Sequence, residues 1–519
     1  MNINGVVLSR HEVLAAQPAR EMLSDGHWIV PTFAGVPRVN KPPTTGWLIA
    51  ASILVFGGET EWIARLPAIL CGVLTAALTA AIAARALGNQ AGLIAGLTTA
   101  TSYYVLMQAR LSEADMPMAA CVTAAMLVFA RAIDRARPPA THAVLFHLLS
   151  ALSFLLKGVG PVFILLPCLV YSLLRRDWNA LRLVLHPIGL AVFFVVAASW
   201  PLAAWWTYPP IAEAWHRELF QRVSGELGEQ IGRSDPWHLY FWSVPLLLLP
   251  WFPLTVIGAV AGIRRRWWRT PIGSLLMCWF GCGFVLLSVI SWRNKHYAIP
   301  IAPACAAATA AGFVLWIRHS ISRPAREGRV VQTAFVLTLA AGVVTALTLP
   351  KLDDRYWIAA LAATLGAGGG IVIEMLIRRR PTAATVAVFA TAWLLIAAAY
   401  WQFVPKFDGY RPSTEFARRV NALVPADQGV YLVGLGEHHV AYYLQRRMTR
   451  IDDPALAGRR ITGEPAYVLA AAGAEASLRP IGGVTAVDAV THLSRRQTPA
   501  DRLTLFRIDP AGASTRPDR

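Results

Sequence analysis

The residues best suited to chemistry begin in a long polar stretch near the start of the chain, Arg10 to Pro43. An acid, Glu12, follows His11 there, and Lys41 stands before two prolines. A polar segment of this length next to apolar sequence is unusual unless it has a function. We therefore expect this first loop to contribute half of an active site at a membrane surface.

The other candidates lie at the ends of apolar segments. Asp115 belongs to RLSEADMPM, Lys157 separates two apolar runs, and Lys295 and Tyr297 belong to NKHYAIP. A carboxylate can accept the proton of an attacking hydroxyl, while cations stabilise a leaving phosphate. An ammonium buried near a membrane needs an anionic partner, which a lipid phosphate can supply. Two acids among several cations therefore suit a transfer in which an anionic group leaves.

Several of these residues also have structural interpretations. Asp115 stands where a helix N-cap belongs, with Pro117 suited to the first turn, and capping and catalysis weigh equally for it. For Arg20 we favour a structural role, as the ion-pair partner of Glu21 or of another loop carboxylate. The cluster that begins at Glu437 and continues with two histidines follows a strand end, which is a weak indication of a site.

Composition places the protein among polytopic membrane proteins. The 519 residues are 55% hydrophobic and include 19 Trp, and the mean hydropathy is +0.47. A span needs about 20 apolar residues. Twelve candidate spans follow: 63–85, 92–109, 116–133, 142–156, 158–174, 183–206, 237–262, 271–291, 297–317, 330–349, 356–377 and 384–403.

The net charge of +18 does not indicate nucleic-acid binding, because arginines concentrate in every second loop. That is the positive-inside pattern, which makes those loops cytoplasmic. Residues 1–62, the loop 207–236 and everything after 404 then lie outside. No signal peptide precedes this outside N-terminus, so either an upstream start codon adds one hydrophobic span or later helices pull the loop across the membrane, and we favour the upstream span. The short apolar run 46–57 predicts a helix lying in the membrane interface.

Three domains are expected: a first loop (1–62), a transmembrane domain (63–403) and a small C-terminal α/β domain (404–519). In the C-terminal domain the pattern predicts strands at GVYLVGLG, PAYVLAA and RLTLFRI. It predicts helices at STEFARRVNAL and EHHVAYYLQRR. The six cysteines fit neither a zinc site nor a disulfide framework and read as core residues. No spacing indicates a metal site, and no cofactor is expected.

These motifs together resemble a family. The run from Glu12 through AREML, SDGHWIVP, GVPRVNKPP and WLIAAS is similar to the opening of bacterial protein-mannosyltransferase-like and lipid A aminoarabinose-transferase-like enzymes, membrane glycosyltransferases of the GT-C class. RLSEADMPM, the Leu-Lys-Gly at 156–158, LLPWFP and NKHYAIPIAPA follow in the family's order. The resemblance covers about residues 10–320.

The resemblance implies an inverting transfer of a sugar from a polyprenyl-phosphate donor to a periplasmic lipid or protein acceptor, at the bacterial inner membrane. The family's first acidic pair falls on His11 and Glu12, its second acid on Asp115 and its loop lysine on Lys41. The positions near the lipid phosphate are those of Lys157, Lys295 and Tyr297.

The chain departs from the family at several of these positions. His11 replaces an aspartate, Leu14 and Ala15 replace an arginine and a tyrosine, and Asn40 replaces a glutamate. These changes count against the aminoarabinose activity and leave Glu12 as the first-loop acid. The alternatives are a transporter or flippase, which would place polar groups within its spans, and an inactive relative that only binds polyprenyl phosphate.

Overall fold

The computed structural model describes residues 8–133, 135, 138–216, 236, 238–290, 293–322, 368–372, 374–375, 377–402, 413–461, 465–491 and 502–510. The chain forms two compact units. One runs from Pro67 to Gln402, and the other combines the described residues of 2–66 with those of 403–519.

The chain begins with helix α1 (Arg10–Asp25), a hairpin of β1 (Thr32–Phe33) and β2 (Val36–Pro37), and helix α2 (Thr44–Phe56). A capping box starts α1, in which the Ser9 hydroxyl accepts from the Glu12 amide and the Glu12 carboxylate accepts from the Ser9 amide. The hairpin turn requires positive φ at both central residues, Ala34 (φ 51°) and Gly35 (φ 76°). The α2 helix confirms that the run 46–57 is helical.

Helices make up the first unit. They are α3 (Glu61–Leu87, which starts in the second unit), α4 (Asn89–Thr101), α5 (Tyr103–Gln108), α6 (Asp115–Ala132), α7 (Ala140–Leu156), α8 (Val162–Arg175), α9 (Trp178–Val184), α10 (Pro187–Thr207), α11 (Ile211–Trp215), α12 (Leu239–Leu247), α13 (Phe252–Arg264), α14 (Pro271–Val289), α15 (Ala302–Ser322) and α16 (Pro381–Gln402). Short 3-10 helices occur at Trp267–Arg269 and Lys295–Ile301.

The structure confirms the expected class, a helical membrane protein, but it does not confirm the expected number of spans. Within the described residues, five helices are long and apolar enough to cross a membrane, or up to six if one bent pair is a single span. The expected span at 330–349 and most of that at 356–377 lie outside the described residues. The number twelve therefore stays a prediction.

The expected continuous span at 237–262 is wrong. Two helices, α12 and α13, replace it, and they meet at an angle of 106°. The break is stabilised from another helix, because the Tyr103 amide donates to the Leu249 carbonyl oxygen (3.0 Å) and the Trp251 indole donates to the Thr101 hydroxyl (2.9 Å). A run of apolar residues reveals its length but not such a bend.

The C-terminal part contains a five-stranded mixed sheet, in the order β4-β3-β5-β7-β6. Its strands are β3 (Val430–Val433), β4 (Met448–Ile451), β5 (Ala466–Ala471), β6 (Gly482–Thr491) and β7 (Arg502–Pro510). Its helices are α17 (Ser413–Leu423), α18 (Ala457–Arg460) and α19 (Glu475–Leu478), with 3-10 turns at His439–Tyr443, Pro454–Leu456, Ala472–Ala474 and Arg479–Ile481.

This confirms a small α/β domain with one local error. The run EHHVAYYLQRR, expected to be helical, forms only the 3-10 turn His439–Tyr443 and then leads into β4. The His438 side chain caps that turn by accepting from the Val440 amide (3.2 Å), which ends the segment after little more than one turn.

The division into three domains stays a prediction, and the structure shows that the described residues of the first loop and of the C-terminal domain pack in one unit. Residues of α1 and α2 share one apolar core with residues of α17 and of the sheet, including Val13, Ile49, Phe416 and Leu432. Arg20 donates to the carbonyl oxygen of Tyr442 (2.7 Å). The first loop is therefore built into the same unit as the last hundred residues.

Candidate active site

Asp115 is the first residue of α6, and Ala114 is the N-cap, with no side-chain capping bond there. The interpretation of Asp115 as an N-cap is therefore wrong. Its carboxylate instead accepts from the Lys157 ammonium at 2.7 Å. Asp115 is 5% exposed, so this ion pair lies largely out of water.

A tight turn between α7 and α8 positions Lys157. The Lys157 amide donates to the Ser153 carbonyl oxygen, and the Gly160 amide donates back to the Lys157 carbonyl oxygen (2.7 Å). A side chain at Gly160 would lie 2.6 Å from the Ser153 oxygen, so only glycine allows this close return. The turn that closes at Gly160 thus presents the lysine from a fixed backbone.

The Lys157 ammonium stays charged. Burial is the largest single influence and would by itself lower the pKa of Lys157, but Asp115, Tyr297 and Glu113 together outweigh it and hold the pKa above its ordinary value. The ammonium also lies over the Tyr297 ring, 3.9 Å from its centroid. Since one fifth of the Lys157 side chain remains accessible, an anionic ligand can reach it.

The third contribution comes from the 3-10 helix Lys295–Ile301. His296 packs edge-on against Tyr297, with ring centroids 5.0 Å apart. The turn that precedes it is fixed from α12, because the buried Tyr240 hydroxyl donates to the Asn294 carbonyl oxygen (3.1 Å). Lys295 itself is exposed. The structure therefore brings together Asp115, Lys157 and Tyr297, three of the residues expected from the sequence.

The loop that leads to Asp115 is polar yet buried. Gln108, Arg110 and Ser112 are 5%, 9% and 2% exposed, and Arg293 in the facing segment is 9% exposed. Burying polar and charged groups costs free energy unless they are hydrogen-bonded or paired, so their concentration beside Asp115 is an indication of a functional site. The sequence offered a sign of this in the alternation of polar residues from 108 to 115, but neither Glu113 nor His296 stood out as a candidate.

In the second unit, Glu12 is engaged in a buried ion pair. Its carboxylate accepts from the Arg65 guanidinium at 2.7 Å and 3.2 Å and from the Ser9 amide at 2.8 Å. Glu12 and Arg65 are 1% and 3% exposed. This contact, over a separation of 53 residues, carries no sequence signal. His11 and Lys41, by contrast, are exposed.

Other first-loop groups have structural partners. Arg20 pairs with Glu59 (2.8 Å), a loop carboxylate, rather than with Glu21. The Glu21 carboxylate instead accepts from the Thr32 hydroxyl (2.5 Å) and the Ala34 amide (2.7 Å), which holds the strained hairpin turn. Glu437 pairs with Arg38 at 2.9 Å.

Comparisons with known proteins agree with this architecture. Residues 40–205 match the model of the family described as dolichyl-phosphate-mannose-protein mannosyltransferase. The undecaprenyl phosphate-alpha-4-amino-4-deoxy-L-arabinose arabinosyl transferase of Pseudomonas savastanoi pv. phaseolicola is 26% identical over 401 residues, 74% of this chain and 72% of that protein.

Solved structures decide the fold. ArnT from Cupriavidus metallidurans bound to undecaprenyl phosphate superposes with a TM-score of 0.76 over 99% of this chain and 96% of that one, at 18% identity. Its apo state gives 0.75 over 97% and 94%, at 19% identity. The chain has this fold. The resemblance seen in the sequence is thereby confirmed, as is the expected helical membrane architecture with a small C-terminal domain.

Proposed function

We propose that the protein is an inverting glycosyltransferase that moves a sugar from a polyprenyl-phosphate donor to an acceptor in the bacterial envelope. The observation that carries the proposal is the cluster of Asp115, Lys157 and Tyr297. The chain that positions this cluster has the fold of ArnT, which was crystallised bound to undecaprenyl phosphate. The similarity to aminoarabinose transferases along most of the chain supports a sugar linked to the same class of lipid.

The ion pair suggests how the site works. In the structure, Asp115 neutralises Lys157. A donor phosphate competes for the same ammonium, and its arrival releases Asp115 to accept the hydrogen of an attacking hydroxyl. The acceptor oxygen then bonds to the anomeric carbon as the bond from that carbon to the phosphate oxygen breaks. The phosphate leaves with the electron pair, and Lys157 stabilises its new charge.

The remaining candidates keep their proposed roles. Lys295 and Tyr297 assist at the donor phosphate, and His11 and Lys41 contribute from the first loop. Glu12 acts either as a second catalytic acid or as the ion-pair partner that fixes that loop. We place the site on the periplasmic face of the inner membrane. The donor sugar is a pentose or a hexose, and the acceptor is a lipid or a protein.

Turnover with defined donors tests the proposal. Purified protein in vesicles is given undecaprenyl phosphate carrying either aminoarabinose or a hexose, and release of undecaprenyl phosphate is measured. We expect release with one of them. In Lys157→Met the donor Michaelis constant should rise roughly ten- to hundredfold, since a charge-assisted hydrogen bond is lost while the apolar stem remains.

The matched control is Arg182→Met, which removes an exposed cation on α9 and should leave the Michaelis constant unchanged. Donor that crosses the vesicle membrane intact would instead identify a flippase. Binding of undecaprenyl phosphate without any release, with either donor and with envelope extract as the acceptor source, would identify an inactive relative. Either result would contradict the transferase.

A further inference from the structure

A second cluster shares Asp115 with the ion pair. Donor atoms of Glu113, Asp115 and His296 all lie within 4.8 Å of one another. Glu113 belongs to the loop before α6, Asp115 is the first residue of α6, and the histidine comes from the 3-10 helix Lys295–Ile301. Asp115 is buried, and Glu113 and His296 are half-buried, so the three side chains are not merely neighbours on an open surface.

We propose that Glu113, Asp115 and His296 bind a divalent transition ion, Zn²⁺ or Mn²⁺. Carboxylate oxygens and an imidazole nitrogen are donors that both ions accept, and three protein ligands leave a further position for water or substrate. Bonds of about 2.0–2.2 Å hold donors closer together than 4.8 Å, so binding draws the side chains inward by small rotations. The imidazole selects against Mg²⁺, which prefers oxygen ligands and retains its water.

The ion pair with Lys157 is compatible with this site. A carboxylate has two oxygens, and Lys157 bonds to Oδ1 of Asp115. We assign Oδ2 to the ion. The charge of the lysine is offset because Glu113 brings a second carboxylate into the cluster, and the His296 ring packs edge-on against Tyr297.

The consequence for the reaction rests on the proposed function. An ion at Asp115 lies on the same carboxylate as Lys157, so both cations would face the anion that Lys157 receives. The ion would add positive charge where the leaving phosphate gains negative charge. Ion binding itself does not depend on that step and can be measured without donor or acceptor.

The experiment measures ion content and ligation. Full-length protein, with any affinity tag removed, is stripped with chelator, dialysed against Zn²⁺, Mn²⁺ or Mg²⁺ in turn, and assayed by mass spectrometry for metal per chain. We expect about one Zn²⁺ or Mn²⁺ and no Mg²⁺. Glu113→Gln and His296→Gln should lose the ion, and the controls Glu213→Gln and His142→Gln should retain it.

Electron spin echo spectroscopy of the Mn²⁺ form gives a readout on the wild type, which does not depend on how the variants fold. A coupling to one imidazole nitrogen is expected. Absence of that coupling, absence of bound Zn²⁺ and Mn²⁺, equal binding of Mg²⁺, or retention of the ion by folded Glu113→Gln and His296→Gln would each overturn the site. Full turnover in chelated protein would leave the transferase standing and remove the catalytic role of the ion.

Discussion

The sequence selects two acids, Glu12 and Asp115, and both form buried ion pairs. The two pairs differ in how far solvent or a ligand can reach the cation. Lys157 keeps a fifth of its side chain accessible, whereas Arg65 is 3% exposed. Residue type and order along the chain were sufficient to find Asp115, Lys157 and Tyr297. They could not reveal Arg65, which approaches Glu12 only in three dimensions and has no unusual local sequence. His296 lies within NKHYAIP, but nothing in that run indicated its approach to Glu113 and Asp115.

Measuring the stability of variants can distinguish a structural role of Glu12 from a catalytic one. In Glu12→Gln the Arg65 guanidinium stays buried without its counter-charge, which should cost about 3–5 kcal/mol in the free energy of unfolding. A lowered melting temperature of the purified protein would show this. The double variant Glu12→Gln with Arg65→Met should recover much of the loss, because no unpaired charge remains. An unchanged melting temperature with turnover lowered by roughly two to four orders of magnitude would instead make Glu12 the catalytic base.

At the scale of elements, apolarity predicted where helices occur but not where they break. The expected span 92–109 is divided at Ser102 into α4 and α5, and 237–262 is divided before Trp251. Such breaks depend on hydrogen-bond partners from other helices, as with Tyr103 and Leu249. The C-terminal end of α5 leads directly to the loop that precedes Asp115.

Helices α13 and α15 provide a test of how closely this part is packed. A Cβ at Gly258 would lie 1.8 Å from the Ala308 carbonyl oxygen, and one at Gly312 would lie 2.0 Å from that of Leu254. Backbone cannot give way as a side chain can, so Gly258→Ala should cost about 3 kcal/mol or more and lower the yield of monodisperse protein. Gly281→Ala is the control, because its Cβ would meet nothing within 4 Å. Equal melting temperatures for the two variants would contradict the close approach.

At the scale of the whole molecule, the unit formed by residues 2–66 and 403–519 was not foreseeable. Its contacts join residues far apart in sequence: Arg20 and Tyr442 are separated by 422 positions. Local pattern carries no information at that range. The fold class, the apolar helices and most of the sheet could be predicted because they depend on short-range periodicity. The joining of the first loop to the last domain depends on a shared core, and it has a consequence for topology.

Because one unit contains both the first helix and the C-terminal sheet, we predict that the chain between Leu66 and Phe403 crosses the membrane an even number of times. The positive-inside rule then predicts that the arginines after α13 lie on the cytoplasmic side, since exposed Arg264, Arg265, Arg266 and Arg269 stand together there.

We predict that cysteines placed at Asp25 and Ser477, both exposed, react with an impermeant maleimide in intact spheroplasts, whereas a cysteine at Arg265 reacts only after the membrane is opened. The native cysteines, three buried and three half-buried, are replaced by alanine first. Labelling of positions 265 and 477 from the same side would contradict the orientation. Labelling of 25 and 477 from opposite sides would contradict the joined unit itself, because no membrane can pass through a shared core.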